Sequence, residues 1–348
     1  MDRRRFLQIG LLATAGLGAS RLSFAKAELP KPGAWTVRTM ASHGKGLSHH
    51  LKHVRCAINP GNQRIYFCGG DFSGPVYMQS GRQELYSYSL EQDDWRLEHP
   101  YCAPAGEVAP FHPDQVGWVW DSKRKVFWML PGVQFGSSYG GPPCDGKRGV
   151  VMGFDPQTRK WREPSQGPIY KNEYEHSKFA IYDTQTDSCI MLGSFESRHW
   201  HPKTGLWDGK RFGGNRILFG SYTAQVGRYI YAIDFRDKRL VRFHIDSRTI
   251  EDGPALPFNP GGNEMTNLVY AAKHDQIFLV YFAYGQYHEP EFWTFTPKTE
   301  AFERRTVAIP GVPQPWGNTV VYHDALDVMM LFGHLASPVD QRFYVYRP

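Results

Sequence analysis

Histidines and carboxylates gather in three short stretches of this 348-residue chain: "SHHLKH" (48–53), "FHPDQ" (111–115) and "NEYEHS" (172–177). They supply His49, His50, His53, His112 and His176, together with Asp114, Glu173 and Glu175. Imidazole beside carboxylate suits zinc, copper or iron, so a divalent or copper ion is one chemistry the set offers. Proton transfer is a second, because imidazole titrates near neutral pH. Plain hydrogen bonding to a polar ligand is a third. No nucleophile and base stand at a diagnostic spacing, so the pattern assigns no catalytic residue. A further pair, His199 and His201 in "RHWHPKTGLW" (198–207), has the spacing of a chelate but falls at a repeated position described next.

What could bring three distant stretches together is internal repetition. "MGFDPQTRKW" (152–161), "RHWHPKTGLW" (198–207) and "WTFTPKTEAF" (293–302) align without a gap. Phe154, Trp200 and Phe295 coincide, as do Pro156, Pro202 and Pro297, and Trp161, Trp207 and Phe302 close the window. "YSYSLEQDDW" (86–95) and "FHIDSRTIED" (243–252) fit less well. Each window predicts a strand, a polar turn and the start of another strand. At this position His199 and His201 belong to a structural turn, and no metal is needed to explain their spacing.

Upstream of each window runs an apolar strand ("RIYFCGG", "KVFWMLPG", "SCIMLGS", "RYIYAID", "QIFLVYF"). Before that comes an inner strand ("HVRCAIN", "GWVWD", "KFAIYD", "ILFGSY", "NLVYAA"). Four strands per unit is the grammar of a propeller blade. The last unit, from "NTVVYHDALDVMMLFGH" to "FYVYRP", holds three strands, whereas "KPGAWTVRTM" (31–40) is a strand with nothing before it. Residues 34–40 are therefore expected to complete the sixth blade and cover its open edge. The long insertion "VQFGSSYGGPPCDGKRG" (133–149) has no apolar strand and is expected to be a loop, a lid at most.

Gly69-Gly70 after an apolar strand, then an aromatic strand and a Trp, resembles the kelch or galactose-oxidase-like propeller family. The resemblance spans nearly all of residues 33–348 and implies an all-β, six-bladed kelch-like β-propeller. The expected blades are 48–100, 111–166, 172–212, 213–257, 261–308 and 315–348 plus 34–40. It also implies a binding site around the axis, on the face where the inner strands begin. On that face stand the histidine stretches, then "GGNR" (213–216), "GGNE" (261–264) and "WGN" (316–318). Asn215, Asn263 with Glu264, and Asn318 are candidate ligand contacts there, as is Tyr284 in "AYGQYHEPE", whose ring could stack on a sugar. Gly-Asn also makes a turn on its own account. The tyrosine, histidine and cysteine copper site of galactose oxidase itself finds no matching residues.

The first 25 residues read as a targeting segment: three arginines, an apolar run from Ile9 to Ala19 and small residues near Ala25. Eleven residues span about 16 Å as a helix, about half of a bilayer core, so no membrane span is expected. Arg3-Arg4-Arg5-Phe6-Leu7-Gln8 resembles the twin-arginine (Tat) signal, with Gln8 where Lys is usual. The resemblance implies export of a folded bacterial protein by the Tat machinery to the periplasm or beyond.

Without residues 1–25 the formal charge falls from +6 to +3, and no run of Lys or Arg remains to mark a nucleic-acid partner. Of the five cysteines, Cys56 and Cys68 flank the turn "NPGNQ" and would face one another if that turn is centred suitably. Cys102 and Cys144 offer a second pairing, and Cys189 reads as a buried strand thiol. Two functions follow as expectations. One is an exported propeller binding a small polar ligand, such as a carbohydrate, or a protein partner on its axial face. The other is a metal-dependent oxidoreductase, lyase or isomerase that uses the same histidines and carboxylates.

Overall fold

The computed structural model describes residues 28–39, 54–69, 84–100, 103–110, 116–130, 150–163, 165, 180–193, 195–212, 216, 218, 222–260, 266–281, 290–307, 309, 319–332 and 342–348. They form six antiparallel sheets of four strands each. Strand β1 (Ala34–Thr39) comes first, and blade one follows as β2 (Arg55–Asn59), β3 (Arg64–Cys68), β4 (Leu85–Ser89) and β5 (Asp94–His99). Blade two is β6 (Gly117–Asp121), β7 (Val126–Leu130), β8 (Met152–Asp155) and β9 (Lys160–Trp161). Blade three is β10 (Ala180–Asp183), β11 (Ser188–Leu192), β12 (Glu196–His201) and β13 (Leu206–Arg211). Blade four is β14 (Ala224–Val226), β15 (Tyr229–Asp234), β16 (Arg239–His244) and β17 (Thr249–Ala255). Blade five is β18 (Thr266–Ala271), β19 (Gln276–Tyr281), β20 (Glu291–Thr296) and β21 (Ala301–Arg305). Blade six is β22 (Thr319–His323), β23 (Val328–Phe332) and β24 (Arg342–Arg347), with β1 as its outer strand. The protein is a six-bladed β-propeller. Among the described residues no helix is long and apolar enough to cross a membrane.

No single centre holds this core; it is a series of apolar layers between blades. Val54, Phe67, Met330 and Phe343 join blades six and one, and Tyr66, Trp118 and Phe154 join one and two. Trp128, Cys189 and Trp200 join two and three; Ile190, Ile230 and Phe243 join three and four. A last cluster through Tyr231, Phe278, Phe295 and Tyr344 joins four, five and six. The second strands β3, β7, β11 and β23 are buried along their full length because each is covered by a blade on either face. This is why their sequences are continuous apolar runs and not alternating ones. Gly153 on β8 leaves room for the Trp128 ring, since a Cβ there would lie 2.6 Å from it.

One turn design recurs on the face where first strands give way to second strands and third to fourth. Its fifth residue adopts a left-handed conformation: Gln63, Asp93, Lys125, Arg159, Asp187, Arg248, Asp275, Glu300 and Asp327 all have φ between 50° and 59°, and Gly205 has 70°. The first residue caps the turn, as when Asp121 Oδ1 accepts from the Lys123 and Arg124 amides at 2.9 and 3.0 Å. Its carbonyl accepts from the fifth amide, 2.9 Å at Lys125 and 2.8 Å at Arg159. This turn places the strand-three aromatic opposite the strand-four aromatic: Tyr88 with Trp95, Phe154 with Trp161, Trp200 with Trp207, Phe295 with Phe302.

Three expectations from sequence are corrected. In blade four the paired residues are Phe243 and Ile250, so the repeat window there starts two residues earlier than "FHIDSRTIED". Its inner strand, the three-residue β14, begins two residues after "ILFGSY". Cys56 and Cys68 do not bridge: the register sets Cys56 against Phe67 and Arg55 against Cys68. That one-residue offset sends the thiols to opposite faces of the blade. Cys102, Cys144 and the 133–149 insertion lie outside the described residues. Cys189 is buried, as expected of a strand thiol.

Closure is made by β1, which pairs with β24 from Ala34↔Arg347 to Thr39↔Arg342. Trp35 packs edge-on to Phe292 of blade five and against Tyr346 of its own blade, at centroid distances of 5.6 and 5.0 Å. Arg38 pairs with Asp93 of blade one at 3.5 Å. The closing strand thus touches both neighbouring blades. Trp35→Ala is expected to cost about 3–5 kcal/mol in equilibrium unfolding by denaturant, the range for emptying a buried tryptophan site. A loss near zero would show that β1 does not hold the ring.

Candidate functional site

Thr319 opens β22 of blade six and Arg55 opens β2 of blade one. Tyr222 stands two residues ahead of β14 in blade four. In a ring of six, blade four lies across the axis from blade one, so contact between Tyr222 and β2 must fall on the axis. The Arg55 guanidinium carbon lies 5.8 Å from the centroid of the Tyr222 ring. Cys56 Sγ and Thr319 Oγ1 share a hydrogen bond at 3.5 Å, tying blade one to blade six beside that pair. Arg55, Tyr222 and Thr319 are all buried. Together they make a polar floor across the channel, on the face where the inner strands begin.

Burial governs the chemistry of this floor. It pushes the Cys56 thiol up to about 12, and the Thr319 hydrogen bond and Arg55 charge offset only part of the rise. Cys56 therefore stays protonated near neutral pH and is no nucleophile. Burial also raises the Tyr222 phenol, opposed chiefly by the Arg55 charge. A phenol that keeps its proton is a neutral donor or acceptor, and the guanidinium is the one formal charge in the group. Blade five adds a further polar residue at the second position of its inner strand. Asn267 is fully buried and neither amide atom has a hydrogen-bond partner. Leaving such a group unpaired costs about 1–3 kcal/mol.

Every site residue named from sequence lies outside the described residues: His49, His50, His53, His112, Asp114, Glu173, Glu175, His176, Asn215, Asn263, Glu264, Asn318 and Tyr284. Their neighbours in the chain are described. Arg55 follows His53 by two positions, Thr266 follows Glu264 by two, and Thr319 follows Asn318 directly. Sequence reasoning therefore chose the segments that lead into the polar floor but missed the floor, since Arg55, Cys56, Tyr222 and Thr319 read as strand residues. The usable signal was position: a charged or hydroxyl residue opening an inner strand. Arg216, next to Asn215, bonds Asp252 at 2.7 Å and Asp234 at 3.4 Å, so its charge is held by blade four. Among the described residues no group of three or more His, Cys, Asp and Glu side chains could hold a metal.

The His199 and His201 pair sits where the repeat put it, at the end of β12 and beside a turn on the face away from the floor. His201 Nε2 lies 3.1 Å from Asp208 Oδ2, and Arg248 of the next blade holds both oxygens of that carboxylate at 2.6 and 3.0 Å. His199 is buried, its ring 6.3 Å from that of Phe243, with neither nitrogen hydrogen-bonded. Burial, reinforced by the Arg248 charge, lowers it to about 4. The unfolded chain then takes up a proton between about pH 6.5 and 4 that the folded chain refuses, so folding weakens as pH falls through that window. The shift corresponds to about 3 kcal/mol. Between pH 7.5 and 4.5 the wild type should lose about 2–3 kcal/mol of unfolding free energy more than His199→Leu does, read from denaturant unfolding at each pH. Parallel curves would rule out a neutral, buried His199.

The chain matches no protein-family model and no curated protein sequence. Its fold does match solved structures. The structure of YjhT superposes with a TM-score of 0.56 at 9% identity, covering 84% of this chain and 93% of that one. In all, 840 solved chains match, a breadth that identifies a scaffold and not an activity.

Proposed function

We propose that this chain is an exported kelch-like propeller that binds a small polar ligand on its axis, above the floor made by Arg55, Tyr222 and Thr319. The observation that carries the reading is the meeting of polar groups from blades one, four and six at one level of the channel. Ligand sites favour concave places where a few polar groups converge among apolar walls. The buried guanidinium supplies a cation and the phenol a neutral hydrogen-bonding group, a combination suited to a ligand rich in oxygen acceptors, such as a carbohydrate or sugar acid. The Gly-Asn segments and histidine stretches precede the inner strands in sequence, and this reading takes them as further candidate contacts of the same ligand. Export rests on the twin-arginine pattern at Arg3–Gln8, which also supports a periplasmic or secreted location. Cys56, held as a thiol, gives no support to covalent catalysis through that residue.

Thermal-shift screening of the exported protein against neutral and acidic sugars should find a ligand whose affinity drops at least tenfold in Arg55→Met. Affinity unchanged in both Arg55→Met and Tyr222→Phe would remove the axial floor from the site. Metal analysis of the same preparation separates the enzymatic alternative: stoichiometric copper, zinc or iron would move the reading to a metal-dependent enzyme built on the histidine stretches.

A further inference from the structure

The turns joining first and second strands form an inner ring on the face away from the axial floor, and neighbouring turns are cross-linked by a repeated device. At two interfaces, between blades two and three and between blades five and six, the fourth residue of one turn reaches the fifth residue of the next. Arg124 of blade two holds Asp187 of blade three through both carboxylate oxygens, at 2.7 and 2.8 Å, while also bonding its own Asp121. His274 of blade five meets Asp327 of blade six at 2.8 Å. Where blade four has a tighter turn, Arg228 reaches back to Asp183 of blade three at 2.6 Å. His323 of blade six approaches the Gln63 carbonyl of blade one at 3.2 Å.

Between blades one and two the device is broken at both ends. The fourth position of the blade-one turn is Asn62, whose amide is used locally, donating to Tyr66 Oη at 2.9 Å and accepting from the Arg64 amide at 3.1 Å. The fifth position of the blade-two turn is Lys125, a cation where blades three and six carry an acid. Lys125 makes no ion pair among the described residues. In place of the missing cross-link is a cavity of about 640 Å³, lined by Asn62, Trp120, Ser122, Lys125, Pro156 and Gln157 among others. The Trp120 indole nitrogen is shielded from solvent and has no hydrogen-bond partner.

Of the groups named in the lining, Lys125 is the one cation; it and the Trp120 N–H can only donate, and the Ser122 hydroxyl and Gln157 amide can donate as well as accept. The nearby acids are already engaged: Asp121 by Arg124, Asp155 by Arg162 and Glu98 by Arg159. We propose that this cleft between blades one and two is a second binding site, for a small organic carboxylate whose acid group takes the place held by Asp187 and Asp327 at the other interfaces. The volume suits a ligand of six to twelve heavy atoms with room for water. Proline and tryptophan walls favour one with a ring or an apolar face.

The site is separate from the axial floor, and its test is independent of it. Benzoate and nicotinate would be titrated against the full-length chain at constant ionic strength, beside benzamide and nicotinamide as neutral counterparts, with tryptophan fluorescence and calorimetry as readouts. At least one carboxylate should bind with a Kd of about 1 mM or tighter, its neutral counterpart should not, and Lys125→Met should weaken it at least tenfold. The double variant Asn62→Arg with Lys125→Asp rebuilds the cross-link of blades two and three inside the cleft. It should abolish binding while melting at or above the wild-type temperature, and Asp tolerates the left-handed fifth position. Arg55→Met should leave this binding unchanged. No carboxylate binding, or binding that survives the rebuilt cross-link, would overturn the proposal.

Discussion

The pairing of β1 with β24 is the interaction on which the rest depends. Six twisted sheets packed face to face leave two unsatisfied ends unless the ring closes, and here closure comes from six residues at one end of the described chain and six at the other. Each side of the seam is sealed differently: Trp35 buries its ring towards blade five, and Arg38 reaches Asp93 of blade one. Once the ring is shut, residues that are remote in sequence become neighbours on the axis, and Cys56 meets Thr319 across 263 positions. The polar floor exists because of that geometry. No blade owns it.

The two faces of the ring are built by different rules. On the turn face, one five-residue design recurs, its left-handed fifth residue held between fixed strands and, at Asn59, Ser89, Asp121, Asp155, Asp183, His244 and His323, by a side-chain cap from the first residue. Where that fifth residue is aspartate, a tyrosine of the preceding strand donates to it: Tyr88 to Asp93, Tyr182 to Asp187, Tyr270 to Asp275 and Tyr322 to Asp327, at 2.5–2.9 Å. Asp187 is held well below the usual carboxylate range, chiefly by hydrogen bonds from Arg124. These bonds lace the interfaces at the rim while the apolar layers carry the packing. On the other face, the first positions of the inner strands vary from blade to blade, from Arg55 to Gly117 to Thr319. Those first positions, free of the constraints of the turn, are where a regular scaffold can carry a binding surface.

Blade number, strand number and the closing strand were legible because the turn fixes a seven-residue spacing between two facing aromatics, a local rule that holds in blades one, two, three and five. Blade four escaped it for a physical reason. Ile250 replaces the second aromatic, and the inner strand is cut to Ala-Gln-Val, so an apolar segment just upstream looked more strand-like. The cysteine pairing failed by a single register step that only the hydrogen-bonded turn decides. The axial floor was illegible in principle, since nothing local in "HVRCAIN" or "GSYTAQV" announces that Arg55 and Tyr222 meet. What the sequence did supply was a set of segments, the histidine and Gly-Asn stretches, that stand next along the chain to residues of the floor.

The central claim is that blades one and four touch across the axis through Arg55 and Tyr222. A double-mutant cycle measures it most directly, using denaturant unfolding of the wild type, Arg55→Met, Tyr222→Leu and the pair. A cation held over a buried ring and stripped of water predicts a coupling of about 1–2 kcal/mol. Effects that add to within about 0.3 kcal/mol, the behaviour of sites that do not touch, would contradict it.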